Sequence, residues 1–242
     1  MLEARNVSLT CDGVPVIRHV SCCFSSSQIT VLTGPNGSGK SMFLEILSAL
    51  RDADEGRVFL DGLVYPQRGQ PLGTGVGLVF QQPEMQIIEQ TVEEDILFGL
   101  RNIGIEEEER RNRLEDALEW SGLSTRRRQY PQTLSGGELR CLALAGVIAM
   151  KPRFILLDEP FENLDYPGVR RVLRQILTLR DMGLGIVLVA HDLSKCLAHA
   201  DRLIILKDGS IVADDEPEKL LGCLEDYDVR RPAMNIRDMT WR

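Results

Sequence analysis

Gly34-Pro35-Asn36-Gly37-Ser38-Gly39-Lys40-Ser41 is the stretch whose reading decides the fold. It fits the spacing GxxxxGK[ST] at every fixed position. The apolar, β-branched run Gln28–Thr33 precedes it, and residues 41–50 read as a helix. Strand, glycine loop and helix start in that order are the context the spacing requires. The glycines let the backbone curl so that several N–H groups point inward at phosphate oxygens. The helix start adds its positive dipole end. Lys40 then places a charge on the β- and γ-phosphates, and the Ser41 hydroxyl is a ligand for Mg²⁺.

Phe154-Ile-Leu-Leu-Asp158-Glu159 supplies the other half. Four apolar residues followed by two acids describe a buried strand that ends in water. In open α/β sheets the carboxyl edge is where ligands bind. Asp158 is placed to hold the Mg²⁺ shell, and Glu159 to take a proton from an attacking water.

Outward from these anchors, residues 3–9 alternate as a strand does. Residues 57–60 run into Asp61-Gly62, a hairpin signal. Val76–Phe80, Phe154–Leu157, Gly185–Ala190 and Leu203–Leu206 read as strands. Gly168–Met182 and Leu193–His199 read as the helices between them. Such alternation implies a parallel sheet with helices on its faces. Residues 91–150 are mostly helical, with Glu106–Trp120 the clearest case: Leu114, Ala117 and Leu118 make an apolar stripe. Glu106–Arg110, Glu107–Arg111 and Glu109–Arg113 pair acid before base at i,i+4. The expected organisation is one domain over 1–225, a helical insertion at about 82–150, and a tail over 226–242.

The chain has 242 residues with 43% hydrophobic content, enough for a sizeable core. Its net charge of −8 does not suit a nucleic-acid binder held by phosphate contacts. Six cysteines at 11, 22, 23, 141, 196 and 223 form no CxxC pair, so metal-ligand spacing is absent and a disulfide scaffold is not expected. The N-terminus has no apolar signal region. The longest apolar run, Cys141–Met150, is too short for a bilayer. A soluble cytoplasmic protein is expected, one that works at a membrane only by docking onto something else.

Leu134-Ser135-Gly136-Gly137-Glu138 closely resembles the LSGGQ signature of ATP-binding cassette ATPases. With Lys40, Asp158-Glu159 and His191 in Val189-Ala-His-Asp192, the resemblance covers about residues 2–222. It implies an α/β P-loop NTPase core with a parallel sheet, an N-terminal antiparallel β subdomain and an inserted α-helical subdomain. The cofactors it implies are ATP and Mg²⁺. Gly34, Pro35, Asn36, Gly37, Ser38, Gly39, Lys40, Ser41 and Met42 match the ATP-binding loop. Ser41, Gln81 and Asp158 match the metal site, and Glu159, His191 and Gln81 the catalytic set. The resemblance implies a head-to-tail dimer. Ser135, Gly136, Gly137 and Glu138 would face the ATP of a second subunit, an identical copy or a paralogue. Asp165 would lie in the loop crossing that interface. Three positions depart from the pattern. Cys11 stands where an aromatic usually stacks on adenine, a contact worth about 0.5–1.5 kcal/mol. Met42 replaces the usual Thr, and Glu138 the signature Gln.

Residues 76–86 and 91–99 look most like the ATPases of energy-coupling-factor importers of vitamins, cobalt or nickel. That resemblance implies a transmembrane coupling protein docked beside the Gln81 loop, a substrate-binding membrane subunit, and a peripheral position on the cytoplasmic face of the cell membrane. Met85, Ile87 and Ile88 suit either a core or a groove for an apolar helix. The alternative is a soluble cassette ATPase of DNA repair or translation. Such proteins usually carry two cassettes or long coiled coils, whereas this sequence has one phosphate loop and no sustained heptads. The tail, with Arg230, Arg231, Arg237, Trp241 and Arg242, reads either as a disordered end or as a segment packing on a partner subunit.

Overall fold

The computed structural model describes residues 1–233 and 235–241; Arg242 and the side chain of Arg237 lie outside the description. Strands β1 (Leu2–Cys11) and β2 (Val14–Phe24) form a hairpin over Asp12-Gly13, whose φ angles are 49° and 77°. Positive φ at both turn residues matches the twist of the flanking strands. Strand β3 (Ile29–Thr33) leads through the glycine loop into helix α1 (Lys40–Leu47). Strands β4 (Glu55–Leu60) and β5 (Leu63–Tyr65) make a second hairpin over Asp61-Gly62. The order β2-β1-β4-β5 is a four-stranded antiparallel sheet.

Strand β6 (Val76–Val79) precedes three helices, α2 (Val92–Asn102), α3 (Glu107–Ser121) and α4 (Gly136–Ala149). Then follow β7 (Phe154–Asp158), α5 (Tyr166–Asp181), β8 (Gly185–Val189), β9 (Arg202–Lys207), β10 (Ser210–Asp215) and the short α6 (Pro217–Leu220). The second sheet has the order β10-β9-β3-β8-β7-β6. It is parallel apart from β10 on its edge. This is the α/β P-loop architecture expected from the sequence.

The parallel strands are mostly apolar because both faces are covered, with the charged residues Asp158, Arg202 and Lys207 confined to strand ends. Ile155 and Leu157 of β7 enter the core beneath α4 and α5, while Phe154 and Leu156 enter the core shared with α1 and the antiparallel sheet. A third cluster joins Val92, Ile96 and Leu100 of α2 to Leu114 and Leu118 of α3 and Leu142 of α4. Thr91 starts α2 by accepting from the Glu94 N–H.

Four features differ from the reading of the sequence. Residues 193–199 are not a helix but two 3₁₀ turns, Leu193–Lys195 and Leu197–His199. Cys196, at φ −139°, interrupts them, and the Asp192 carboxylate accepts from both Ser194 N and Ser194 Oγ. Strands β2 and β10 were not anticipated; register shifts in both pairings blur their alternation. On α3 the Glu109–Arg113 pair forms at 2.6 Å, but Arg110 bonds Glu107 at 3.1 Å rather than Glu106. Glu106 is extended, at ψ 152°, and lies outside the helical spacing. Finally, the described tail residues lie on the chain's own core. Val229, Ile236 and Met239 are buried there, and Trp241 stacks on Tyr166 at 5.3 Å while donating from Nε1 to Ser194 O.

All six cysteines are free thiols. Among the described residues no helix is long and apolar enough to cross a membrane.

Candidate active site

The glycine loop bends where only glycine bends easily. Gly34 has φ 145°, and a Cβ there would overlap the Leu206 carbonyl oxygen. Gly39, at φ 97°, precedes the first turn of α1 without a side-chain cap, so the N–H groups at that end have no side-chain acceptor. Lys40 is 6% exposed. Its Nζ donates to Gly34 O at 3.0 Å, Pro35 O at 2.8 Å and Ser38 Oγ at 3.4 Å. Burial holds its pKa below the usual lysine value, with Glu159 and Asp158 opposing.

Asn36, Gly37, Gly39, Lys40, Ser41 and Met42 form one wall of a cavity of about 290 Å³, and Gln81, Asp158, Glu159 and His191 face them. Phosphate loop, strand-end acids, glutamine and histidine are thus brought together. Gly34, Pro35 and Ser38 stand behind the wall as partners of Lys40. The Gln81 side chain is turned aside: Nε2 donates to Glu162 Oε2 at 2.6 Å.

Asp158 is 8% exposed. Burial raises its pKa, against a hydrogen bond from Ser41 and the charge of Lys40. Glu159 follows with φ 46°, a left-handed conformation unusual for glutamate. Burial raises its carboxyl to about 7, assisted by the charges of Asp158 and Glu162 and opposed by the His191 N–H and Lys40. Its Oε1 is buried without a hydrogen-bond partner, although His191 Nε2 lies 3.4 Å away. Burial and Lys40 lower the His191 pKa, so the imidazole is neutral at pH 7 and the contact is not an ion pair. A buried, unpartnered carboxylate oxygen titrating near neutrality is suited to accept a proton.

Hard oxygen donors fit Mg²⁺: the Asp158 carboxylate, the Ser41 hydroxyl and the Gln81 amide oxygen. Among the described residues no group of three His, Cys, Asp or Glu stands ready to hold a metal alone.

The serine–glycine segment does not line this cavity. Ser135 caps α4 in a reciprocal box with Glu138. Glu138 Oε2 accepts from Ser135 N and from Ser135 Oγ, both at 2.9 Å. Arg126 pairs with Glu138 Oε1 at 3.0 Å, and Arg171 at 3.9 Å. Burial acts to raise the Glu138 pKa, but the two Ser135 hydrogen bonds and these arginines hold it below the usual value. Gly136 and Gly137 form the first turn of α4. Asp165 caps α5, accepting from Gly168 N at 2.9 Å, and also lies off the cavity.

Two residues escaped the sequence reading. Arg140 is 4% exposed, and its Nη1 donates to Phe80 O at 3.1 Å and to Gln81 O at 2.7 Å. The only hint was a lone charge opening the apolar run of α4. Glu162, the partner of Gln81, sits in the Glu162-Asn-Leu-Asp165 segment, from which only Asp165 was singled out.

A glycine phosphate loop between β3 and α1, acids ending β7, and a histidine beyond β8 define a P-loop nucleoside triphosphatase. Residues 17–162 match the ABC transporter family, and this chain belongs to it. It is an ATP-binding cassette ATPase. It is 40% identical over 209 residues to the cobalt import ATP-binding protein CbiO of Syntrophus aciditrophicus, covering 86% of this chain and 74% of that one. It is 41% identical over 210 residues to the energy-coupling factor transporter ATP-binding protein EcfA1 of Thermotoga maritima, covering 87% and 80%. Its fold superposes with TM-score 0.78 on the dimeric structure of MJ0796, described as a bacterial ABC transporter cassette. That structure shares 27% identity, and the match covers 90% of this chain and 99% of that one.

Proposed function

We propose that this chain is the ATP-hydrolysing motor subunit of a membrane importer of the energy-coupling-factor type. ATP binding closes a dimer of two such subunits, and hydrolysis reopens it. The observation that carries this reading is the separation just described. One chain gathers Lys40, Asp158, Glu159 and His191 on a single cavity but leaves Ser135 outside it. Each ATP is then held between the loop of one subunit and Ser135, Gly136 and Gly137 of the other, with Asp165 at the interface. The second subunit is an identical copy or a paralogue.

In the reaction, water attacks the γ-phosphorus and the bond to the β-phosphate oxygen breaks. Glu159 accepts the proton of the water. Lys40 exchanges the Gly34 and Pro35 carbonyls for phosphate oxygens, and neutral His191 donates to the γ-phosphate. Ser41, Asp158 and Gln81 would hold Mg²⁺, which would supply positive charge to offset that of the nucleotide phosphates; Gln81 would have to give up its hydrogen bond to Glu162 to serve as a ligand.

The transmembrane side is supported by exposed apolar residues in the segment that follows Gln81. Met85 is 75% exposed and Ile88 65%, and Phe98 on α2 is exposed as well. A flexible methionine and bare apolar side chains suit a helix supplied by a coupling protein. A substrate-binding membrane subunit completes the importer, and this chain sits peripherally on the cytoplasmic face of the membrane. The test is affinity capture of the tagged chain from detergent-solubilised membranes. The reading expects a membrane protein to be retained by the parent and lost with Met85→Asp plus Ile88→Asp. A variant pair that keeps its membrane partner overturns the docking surface.

A further inference from the structure

A groove of about 920 Å³ lies between the end of α3 and one face of α5, apart from the nucleotide site. On α5, Tyr166, Arg170, Arg171 and Arg174 recur at helical spacing and point along that face. Arg126 and the Trp120 ring line the opposite side. Four guanidinium groups face two carboxylates here, Glu119 and Glu138, in a chain whose net charge is −8. Glu138 is shared by Arg126 and Arg171. Among the described residues Arg170 and Arg174 have no carboxylate partner; Arg170 lies over the Tyr166 ring at 5.7 Å. In its wall, Arg170 Nε and Gln175 Oε1 are buried without hydrogen-bond partners.

We propose that this groove binds a small phosphate ester carrying a planar ring, of the nucleotide class, and that its occupation acts on Ser135 through Glu138. The volume is that of a small-ligand site. Guanidinium forks without a carboxylate match phosphate geometry, and the Trp120 ring beside them offers a face for a flat base, the Tyr166 ring being already engaged by Trp241 and Arg170. The coupling follows from the hydrogen bonds. Arg126 and Arg171 draw on the same carboxylate that accepts from Ser135 Oγ. A phosphate that takes these arginines leaves Glu138 more basic and tightens its hold on the Ser135 hydroxyl. Ser135 then has less of its donor to offer the nucleotide of a second subunit. The ligand is therefore an inhibitor of ATP-driven pairing. This coupling rests on the role proposed above for Ser135; the binding does not.

Binding is read by Trp120 fluorescence in the full chain carrying Lys40→Ala, to silence the phosphate loop, and Trp241→Phe, to leave one reporter. GDP should quench it saturably, and pyrophosphate should compete but bind more weakly. Arg170→Ala with Arg174→Ala should weaken GDP by at least about tenfold, and Arg174→Glu alone should do the same. Unchanged affinity in these variants overturns the proposal. So does pyrophosphate binding as tightly as GDP, or a ten-residue polyglutamate binding as tightly, which would assign the groove to a protein segment. The coupling is read as ATP-driven dimerisation of the Glu159→Gln chain. Added GDP should suppress it more in the parent than in the Arg170→Ala, Arg174→Ala background, where only competition at the phosphate loop is left. Equal suppression refutes the coupling, and the fluorescence arm still decides the site if no dimer forms.

Discussion

Arg140 Nη1 donates to the carbonyl oxygen of Gln81 at 2.7 Å, across 59 residues of sequence. The guanidinium thereby ties α4, the helix capped by Ser135, to the loop carrying Gln81. It donates to Phe80 O as well, and its Nη2 reaches Glu162 O at 3.5 Å. These hydrogen bonds couple the position of α4 to the backbone of Gln81.

Arg140→Leu should therefore keep ATP binding and lose turnover, since the Gln81 loop loses its fixed position. The part-buried carbonyls of Phe80 and Gln81 would lose this donor, at about 0.5–1.5 kcal/mol of stability for each hydrogen bond. Nucleotide titration beside steady-state hydrolysis separates the two effects. Unchanged turnover in a variant that is measurably less stable would show that Arg140 only holds the fold.

Glu159 gives a pH prediction. A general base must be deprotonated, so kcat/KM for ATP should rise with pH through about 7, where burial has placed its carboxyl. Stability runs the other way. The folded pKa lies above the ordinary glutamate value of 4.5, so between 4.5 and about 7 the native state binds more protons than the unfolded one. Stability of the nucleotide-free protein then falls as pH rises across that window. Glu159→Gln should flatten this fall and melt higher than the parent at pH 8. It should also hydrolyse ATP about 10²–10⁴-fold more slowly while still binding it. Parental turnover by Glu159→Gln would remove Glu159 from the mechanism.

Much of this site was legible because its parts are short and local. The backbone of a glycine loop is set by its own residues, and Phe154–Asp158 announces both burial and exposure within five positions. Residues 14–24 were missed as a strand although Asp12-Gly13 is a two-residue turn signal. The bulges between β1 and β2 break the alternation that would have revealed the second arm. The tail was illegible for another reason. The contact of Trp241 with Tyr166, like that of Arg140 with Gln81, joins residues far apart in sequence, and no local pattern encodes such a meeting.

Two departures from the family pattern prove to be neighbours. Cys11 Sγ lies 3.7 Å from Met42 Sδ, half-buried at the end of β1 beside α1. Two soft sulfur groups thus meet where the family resemblance implies an aromatic ring and a hydroxyl. Cys11→Tyr should restore a stacking surface and tighten ATP by up to about tenfold. Isothermal titration of ATP against GTP checks it, with a larger gain expected for the base that stacks better. No gain for either nucleotide would mean that position 11 does not face the base.

The proposed dimer offers the sharpest test, because on that reading one chain supplies only half of each composite site. The isolated protein should be monomeric or weakly associated without nucleotide. Its phosphate loop presents N–H groups and Lys40, and the start of α4 presents another positive dipole end, so facing copies repel at these points. ATP supplies the negative charge that both sides need. Glu159→Gln should therefore dimerise on adding ATP and remain dimeric, since it cannot cleave the bridging phosphate. Ser135→Arg should block that step by filling the second anion site with a bulky cation. Binding to the loop of a single subunit should survive, because Ser135 does not line that cavity. The capping box adds a quantitative expectation. Ser135→Arg also loses the cap of α4, about 1 kcal/mol, so Ser135→Ala serves as the control that removes the cap without adding bulk or charge. Size-exclusion chromatography with light scattering should place Ser135→Ala between the parent and Ser135→Arg. A Glu159→Gln chain that stays monomeric at saturating ATP sinks the shared site, and so does Ser135→Arg pairing as readily as its parent.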